Sequence, residues 1–136
     1  MEKIYSKIDK LKLLHLNYSS SSINKRSDLV ECNQFLQVAS LALEKDQTFK
    51  PHQHIWKKNL SNNVIAQECW VIISGSVRVD YYDLDGSFLA SKTLVEGDIT
   101  ITLEGGHNYQ ALDDNTKVYE IKTGPYYGQE LDKKFL

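Results

Sequence analysis

No run of this sequence reaches the roughly 18 to 20 consecutive apolar residues that a membrane span requires, so no transmembrane helix is expected. The N-terminus, MEKIYSKIDKLKLLHLNY, breaks its apolar positions with charges and has no small-residue cleavage site, so no secretory signal is expected either. Cysteine is scarce: Cys32 and Cys69 stand alone, without a CxxC or zinc-knuckle spacing. Two free, buried thiols are the expectation, a disulfide is the lesser alternative, and the cytoplasm follows as the default compartment. Charge of one sign is also lacking. Sixteen Lys and Arg against eighteen Asp and Glu, interspersed, give a net charge of −2. Without a basic stripe there is no footprint for nucleic acid and no polybasic membrane patch. The partners expected are a small-molecule ligand and a second copy of the chain, as a homodimer. What remains is ordinary globular composition, 41% hydrophobic over 136 residues, enough for one domain with its own core.

Residues 1–18 read two ways. Ile4, Ile8 and Leu11 fit a helical face, whereas Leu14, Leu16 and Tyr18 alternate as in a strand. Ser19 to Ser22 is a polar break with the look of a flexible loop. Phe35 to Leu43, FLQVASLAL, is nearly continuous apolar sequence, as in a strand buried on both faces. Glu44 to Gln47 reads as a turn. Strands then follow over 68–73, 76–82, 88–94, 99–103 and 118–122, with a hairpin turn at Asp83-Leu84-Asp85-Gly86. Asp83 and Asp85 could open a calcium loop, but the remaining ligands are missing and the turn reading prevails. Short strands at this spacing, with no strong helix after residue 35, predict a closed sandwich or barrel, all-β. We place an N-terminal arm over 1–34, possible material for a dimer contact, and the barrel over 35–136.

Pro51-His52-Gln53-His54 carries the first chemical signal. Period-two alternation on an extended segment points both imidazoles to one side, close enough to share an ion or a substrate. Glu68 opens a later strand, with six residues between it and Gly75. His107 follows Glu104-Gly105-Gly106, ten positions after Gly97 of the Gly97-Asp98 turn. These pieces resemble the two motifs of the RmlC-like cupin superfamily: two histidines, a glutamate and a glycine, then Gly-Asp, a strand, a Gly-containing turn and a histidine. Over roughly Leu36 to Phe135 the resemblance is to small single-domain cupins, carried by QECWVIISGSVRVDYYDLDGSFLASKTLVEGDITITLEGGHNYQ and by YEIKTGPYYG.

The resemblance implies a double-stranded β-helix, or jelly-roll, barrel. It also implies a metal site built from His52, His54, Glu68 and His107. Three imidazoles and a carboxylate suit a divalent ion such as Zn, Fe, Mn, Ni or Co. Two departures stand out. Thirteen residues separate His54 from Glu68, an enlarged loop, IWKKNLSNNVIAQ, that could act as a lid. Leu103 stands where the second motif usually has proline, and the run to His107 is one residue short.

Alternation supplies further candidates. Trp70 shares a face with Glu68, and Tyr109 with His107; with Tyr126 they are candidate substrate-binding residues, an ordinary core position being the equal alternative for Trp70. Glu120 and Lys122 share a face near the chain end. If inward, one is a candidate general acid or base and the other a hold for an anionic substrate; an exposed cross-strand ion pair is the plainer reading. Arg78 is expected in solvent, and His15 as a half-buried structural residue.

Three functions compete. The first is a metal-dependent cupin enzyme acting on a sugar, sugar nucleotide or other small polar metabolite, by isomerisation, epimerisation or oxygen chemistry. The second is a metal-free sugar-nucleotide ketoisomerase, since PHQHIWK with SGSVRVDYYDLDG is similar to the HxHK-like segment of cupin-fold members of that class. A non-catalytic binding module is the third.

Overall fold

The computed structural model describes residues 1–57 and 64–136. The middle of the segment expected as a lid, residues 58–63, lies outside the described residues. Fourteen strands are described: β1 (Glu2–Tyr5), β2 (Leu13–Asn17), β3 (Ser27–Asp28), β4 (Leu36–Leu43), β5 (His52–His54), β6 (Trp56–Lys57), β7 (Val64–Ile65), β8 (Glu68–Ser74), β9 (Ser76–Tyr82), β10 (Phe88–Val95), β11 (Ile99–Thr102), β12 (Gly106–Ala111), β13 (Thr116–Thr123) and β14 (Lys133–Phe135). Two five-stranded antiparallel sheets, in the orders β10-β9-β12-β5-β14 and β11-β8-β13-β4-β3, form the body. The fold is all-β, and no described helix is long and apolar enough to cross a membrane.

The chain passes from one sheet to the other at Gly75, between β8 and β9. Its φ is +78°, and a Cβ there would stand 2.5 Å from the Thr116 hydroxyl, so only glycine fits. The Asp83–Gly86 turn joins β9 to β10, closed by Asp83 N–H to Ser87 O at 2.8 Å.

Inward side chains change from apolar to polar along each strand. Towards one end the rows run Val118, Glu120, Lys122 on β13 and Ile72, Trp70, Glu68 on β8. On β12 the row is Ala111, Tyr109, His107, and on β4 it is Leu41, Ala39, Gln37; all are buried. The barrel therefore has an apolar floor of Leu41, Leu43, Ile72, Val77, Val79, Ala111 and Val118 and a polar mouth. Trp70 and Tyr109 lie at the boundary, stacked with centroids 3.9 Å apart, and Phe49 meets Trp70 edge-on at 5.7 Å. Each such aromatic pair contributes about 0.5–1.5 kcal/mol beyond its buried area. The mouth rests on a rigid platform.

Several expectations change. Residues 2–17 form a β1–β2 hairpin, and the helical alternative fails because Ile8 and Leu11 are almost wholly exposed. Ser20–Ser22 is one 3₁₀ turn rather than a flexible loop, with the Ser19 hydroxyl accepting from Ser21 N–H at 3.3 Å. Phe35 and Leu36 are exposed, so the buried apolar run starts later than the sequence suggested. His15 is exposed on β2 rather than half-buried. Both cysteines are free, but Cys32 is exposed and Cys69 half-buried.

Candidate metal centre

The two sheets meet around the histidines. On β5, His52 and His54 face inward, while Gln53 between them turns away and donates to the carbonyls of Asp83 and Leu84 (3.3 and 3.1 Å). His107 on β12 is registered opposite His52, and the ring centroids are 4.6 Å apart. His54 lies 5.3 Å from His52 and 5.5 Å from His107, centroid to centroid. From the other sheet, Glu68 places Oε2 3.2 Å from His54 Nε2 and Oε1 3.2 Å from His107 Nε2. One ligand atom from each of the four residues falls within 4.8 Å of the others, and all four are buried. The short second motif does not turn His107 outward: it is wholly enclosed.

Two of the three imidazoles have Nδ1 tied back, which turns Nε2 into the cluster. His52 Nδ1 donates to the Lys50 carbonyl at 2.9 Å, leaving Nε2 with its lone pair. His54 Nδ1 is held 3.1 Å from Asp132 Oδ2, which likewise directs Nε2 into the cluster. The Nε2 atoms of His54 and His107 then face Glu68 oxygens without hydrogen-bond alignment. At His54, whose Nδ1 is tied back to Asp132, a lone pair opposed to a carboxylate in a dry site repels unless a cation lies between them, either a proton or a metal ion; His107 has both ring nitrogens unpartnered. These orphaned buried atoms fit a divalent metal.

Ionisation follows the same geometry. Burial, then the neighbouring His107 and Lys133, push His52 down to about 3. Burial also disfavours the His54 imidazolium, but Asp132 and Glu68 outweigh it and the pKa rises. Burial would raise Glu68; its contacts with His107 and His54 prevail and hold it well below the usual carboxylate range. Asp132 is lowered too, because His54, Lys122 and Lys57 outweigh its burial.

A shell of charge surrounds the cluster. Asp132, almost wholly buried, pairs with Lys57 at 2.8 Å and Lys122 at 3.2 Å. Lys122 is registered opposite Glu68 and lies over the Tyr126 ring at 3.8 Å from its centroid. Glu120, opposite Trp70, takes Arg26 in two contacts of 3.0 and 3.3 Å. Lys133 Nζ donates to His52 Nε2 at 3.2 Å. The exposed ion pair considered for Glu120 and Lys122 is thus overturned: both are buried, and each has a different partner. They line, with Arg26, Gln37 and Tyr126, a cavity of about 190 Å³. Trp70 and Tyr109 do not line that cavity but are packed against each other beneath the mouth, Trp70 Nε1 donating to Glu68 Oε1 at 3.1 Å. Arg78 is exposed beside Asp80, as expected.

Sequence reasoning missed Asp132, Lys133, Lys57 and Arg26. Asp132 and Lys133 are placed by the return of the chain end onto β5, and GQELDKKFL reads like any charged surface segment; Lys57 and Arg26 match no position of the two motifs.

Two antiparallel sheets closed into a barrel, with three inward imidazoles and a carboxylate at its mouth, make up the cupin fold, and this chain has that fold. Solved structures agree. The structure of KdgF from Halomonas sp. superposes with a TM-score of 0.56 at 15% identity, covering 72% of this chain and 77% of that one. Oxalate decarboxylase from Bacillus subtilis gives 0.56 at 22%, covering 74% of this chain but only 24% of that one. The coconut allergen cocosin gives 0.52 at 20%, covering 65% and 21%. No family model matches the sequence. No curated protein matches it either.

Proposed function

We propose that this chain is a metal-dependent cupin acting on a small polar metabolite, a sugar or sugar derivative, by an isomerase- or epimerase-type proton transfer. The observation that carries the reading is the pair of orphaned Nε2 atoms, on His54 and His107, turned towards Glu68 in a buried site. His52, His54, Glu68 and His107 would hold a divalent ion, which when bound supplies Lewis acidity and lowers the pKa of coordinated water. Glu120 and Lys122 line the cavity and are registered opposite Trp70 and Glu68 on β8. In this reading Lys122 steadies a substrate oxygen, Glu120 exchanges a proton with carbon, and the Trp70–Tyr109 floor keeps water from beneath.

Purified protein tests this directly. Metal analysis after growth without added metal should give about one divalent ion per chain. A variant with both His52→Ala and His107→Ala should lose it while keeping its circular dichroism. Sugars and sugar acids incubated in D₂O should exchange a carbon-bound proton only with the loaded protein, as read by NMR. A metal-free chain that still turned over a keto-sugar nucleotide would favour proton shuttling by the histidines, with the Asp132–His54 contact as its structural support.

A further inference from the structure

Arg26, Lys57, Lys122 and Lys133 stand around the mouth with four carboxylates, Glu68, Asp132, Glu120 and Asp28. Arg26 is taken by Glu120 and Asp28, and Asp132 serves both Lys57 and Lys122. Lys133 is different. Among the described residues no carboxylate lies within 4.0 Å of its ammonium, which instead donates to His52 Nε2 at 3.2 Å. Its direction is built in, because Lys133 is registered opposite His54 and Phe135 opposite His52. The C-terminal strand thus sends into the cluster one cation that has no carboxylate in direct contact.

The lone pair that holds Lys133 is the one a metal would take, so the role assigned to Lys133 rests on the metal reading of the site. Loading the cluster removes the acceptor from Lys133 and places beside it a divalent ion whose charge Glu68 offsets only in part. A half-buried ammonium next to a divalent cation is unfavourable unless an anion compensates both. A neutral polyol cannot do this; a carboxylate can, and an ammonium binds it with a charge-assisted hydrogen bond. We propose that Lys133 is the anion-holding residue of this site, and that the ligand is a small hydroxy- or oxo-carboxylate, sugar acids included, rather than a neutral sugar.

Glycolate and ethylene glycol make a matched pair of probes, since both offer two oxygens and only one carries charge. Full-length protein is loaded with Mn²⁺, metal uptake is followed by EPR, and probe affinity is measured by calorimetry. The wild type should prefer glycolate. Lys133→Met should bind Mn²⁺ at least as tightly as the wild type, because a competitor for the His52 lone pair is gone. Its glycolate affinity should fall tenfold or more, its ethylene glycol affinity should not change, and Lys133→Arg should recover most of the loss. A purely structural role for Lys133 would weaken metal and probe together. Unchanged glycolate affinity in Lys133→Met overturns the inference alone. Failure of the wild type to take up Mn²⁺ overturns the metal reading and this inference with it. Should Lys133→Met not fold, equal affinity of the wild type for the two probes overturns the inference by itself.

Discussion

Asp132 Oδ2 lies 3.1 Å from Nδ1 of His54, although 78 positions separate the two residues. The contact ties the C-terminal segment to the candidate metal centre and fixes which His54 nitrogen faces inward. Substituting Asp132→Asn keeps the shape and removes the charge. Metal affinity should fall about 10- to 100-fold, the usual cost of losing such an orienting partner. Stability should fall by about 3–5 kcal/mol, because Lys57 and Lys122 stay buried without a counter-charge. Metal titration and urea unfolding measure the two effects. Wild-type metal affinity in this variant would remove the orienting role.

The parts of this arrangement differ in how legible they are. His52 and His54 are two apart on a strand, so period-two alternation alone places them together. His107 and Glu68 come from strands paired far along the chain, and local pattern cannot bring them in; the motif spacing could. The inward turn of Glu120 and Lys122 was only half legible. Alternation put them on one face, yet charge argued for the solvent face, and buried partners at Arg26 and Asp132 overrode that argument. Asp132 and Lys133 gave no signal, since their burial comes from the return of the chain end onto β5.

Stability should respond to pH in two opposed ways. His52 titrates near 3 in the folded chain against 6.5 ordinarily, so between those values the unfolded chain binds a proton the folded chain refuses. Stability from this residue is full above pH 6.5 and lost on acidification, on the order of 5 kcal/mol by the bottom of the window. His54 has the opposite sign: its raised pKa stabilises fully below 6.5, and the contribution disappears as pH rises through the folded value. Glu68 and Asp132, both lowered, add stability above their ordinary range that is lost below it. Metal-free protein should therefore lose urea resistance steeply from pH 6.5 to 4. His52→Gln should flatten that fall. An equally steep profile in the variant would assign the acid sensitivity to the carboxylates alone.

Among the described residues the β1–β2 hairpin pairs with no other strand, and an isolated hairpin is marginal in water. It nevertheless exposes Ile4, Tyr5, Leu13 and Leu14 and borders a groove with Leu29, Val30 and Val38. We expect this hairpin to be buried in a homodimer. Ile4→Lys combined with Leu14→Lys should shift the sedimenting species from dimer to monomer and leave barrel unfolding cooperative. An unchanged dimer would move the interface elsewhere.

Two glycines separate backbone strain from site geometry. Gly105 has φ +82°, and a Cβ there would stand 2.6 Å from the Tyr82 carbonyl oxygen. Tyr82 is registered opposite Gly106, so relieving that clash must push the start of β12 away from β9. His107 is the next residue, opposite both Tyr81 and His52, and it would move with the strand. Gly97 has φ +89°, but a Cβ there would meet nothing within 4 Å. Gly97→Ala should thus cost about 1 kcal/mol of strain and leave metal affinity alone. Gly105→Ala should cost about 1–3 kcal/mol and also weaken metal binding, because one of three imidazoles is displaced. Denaturant unfolding and metal titration on the pair give both readouts. If the two variants bound metal equally well, the tight Gly105–Tyr82 approach would matter to folding but not to where His107 points.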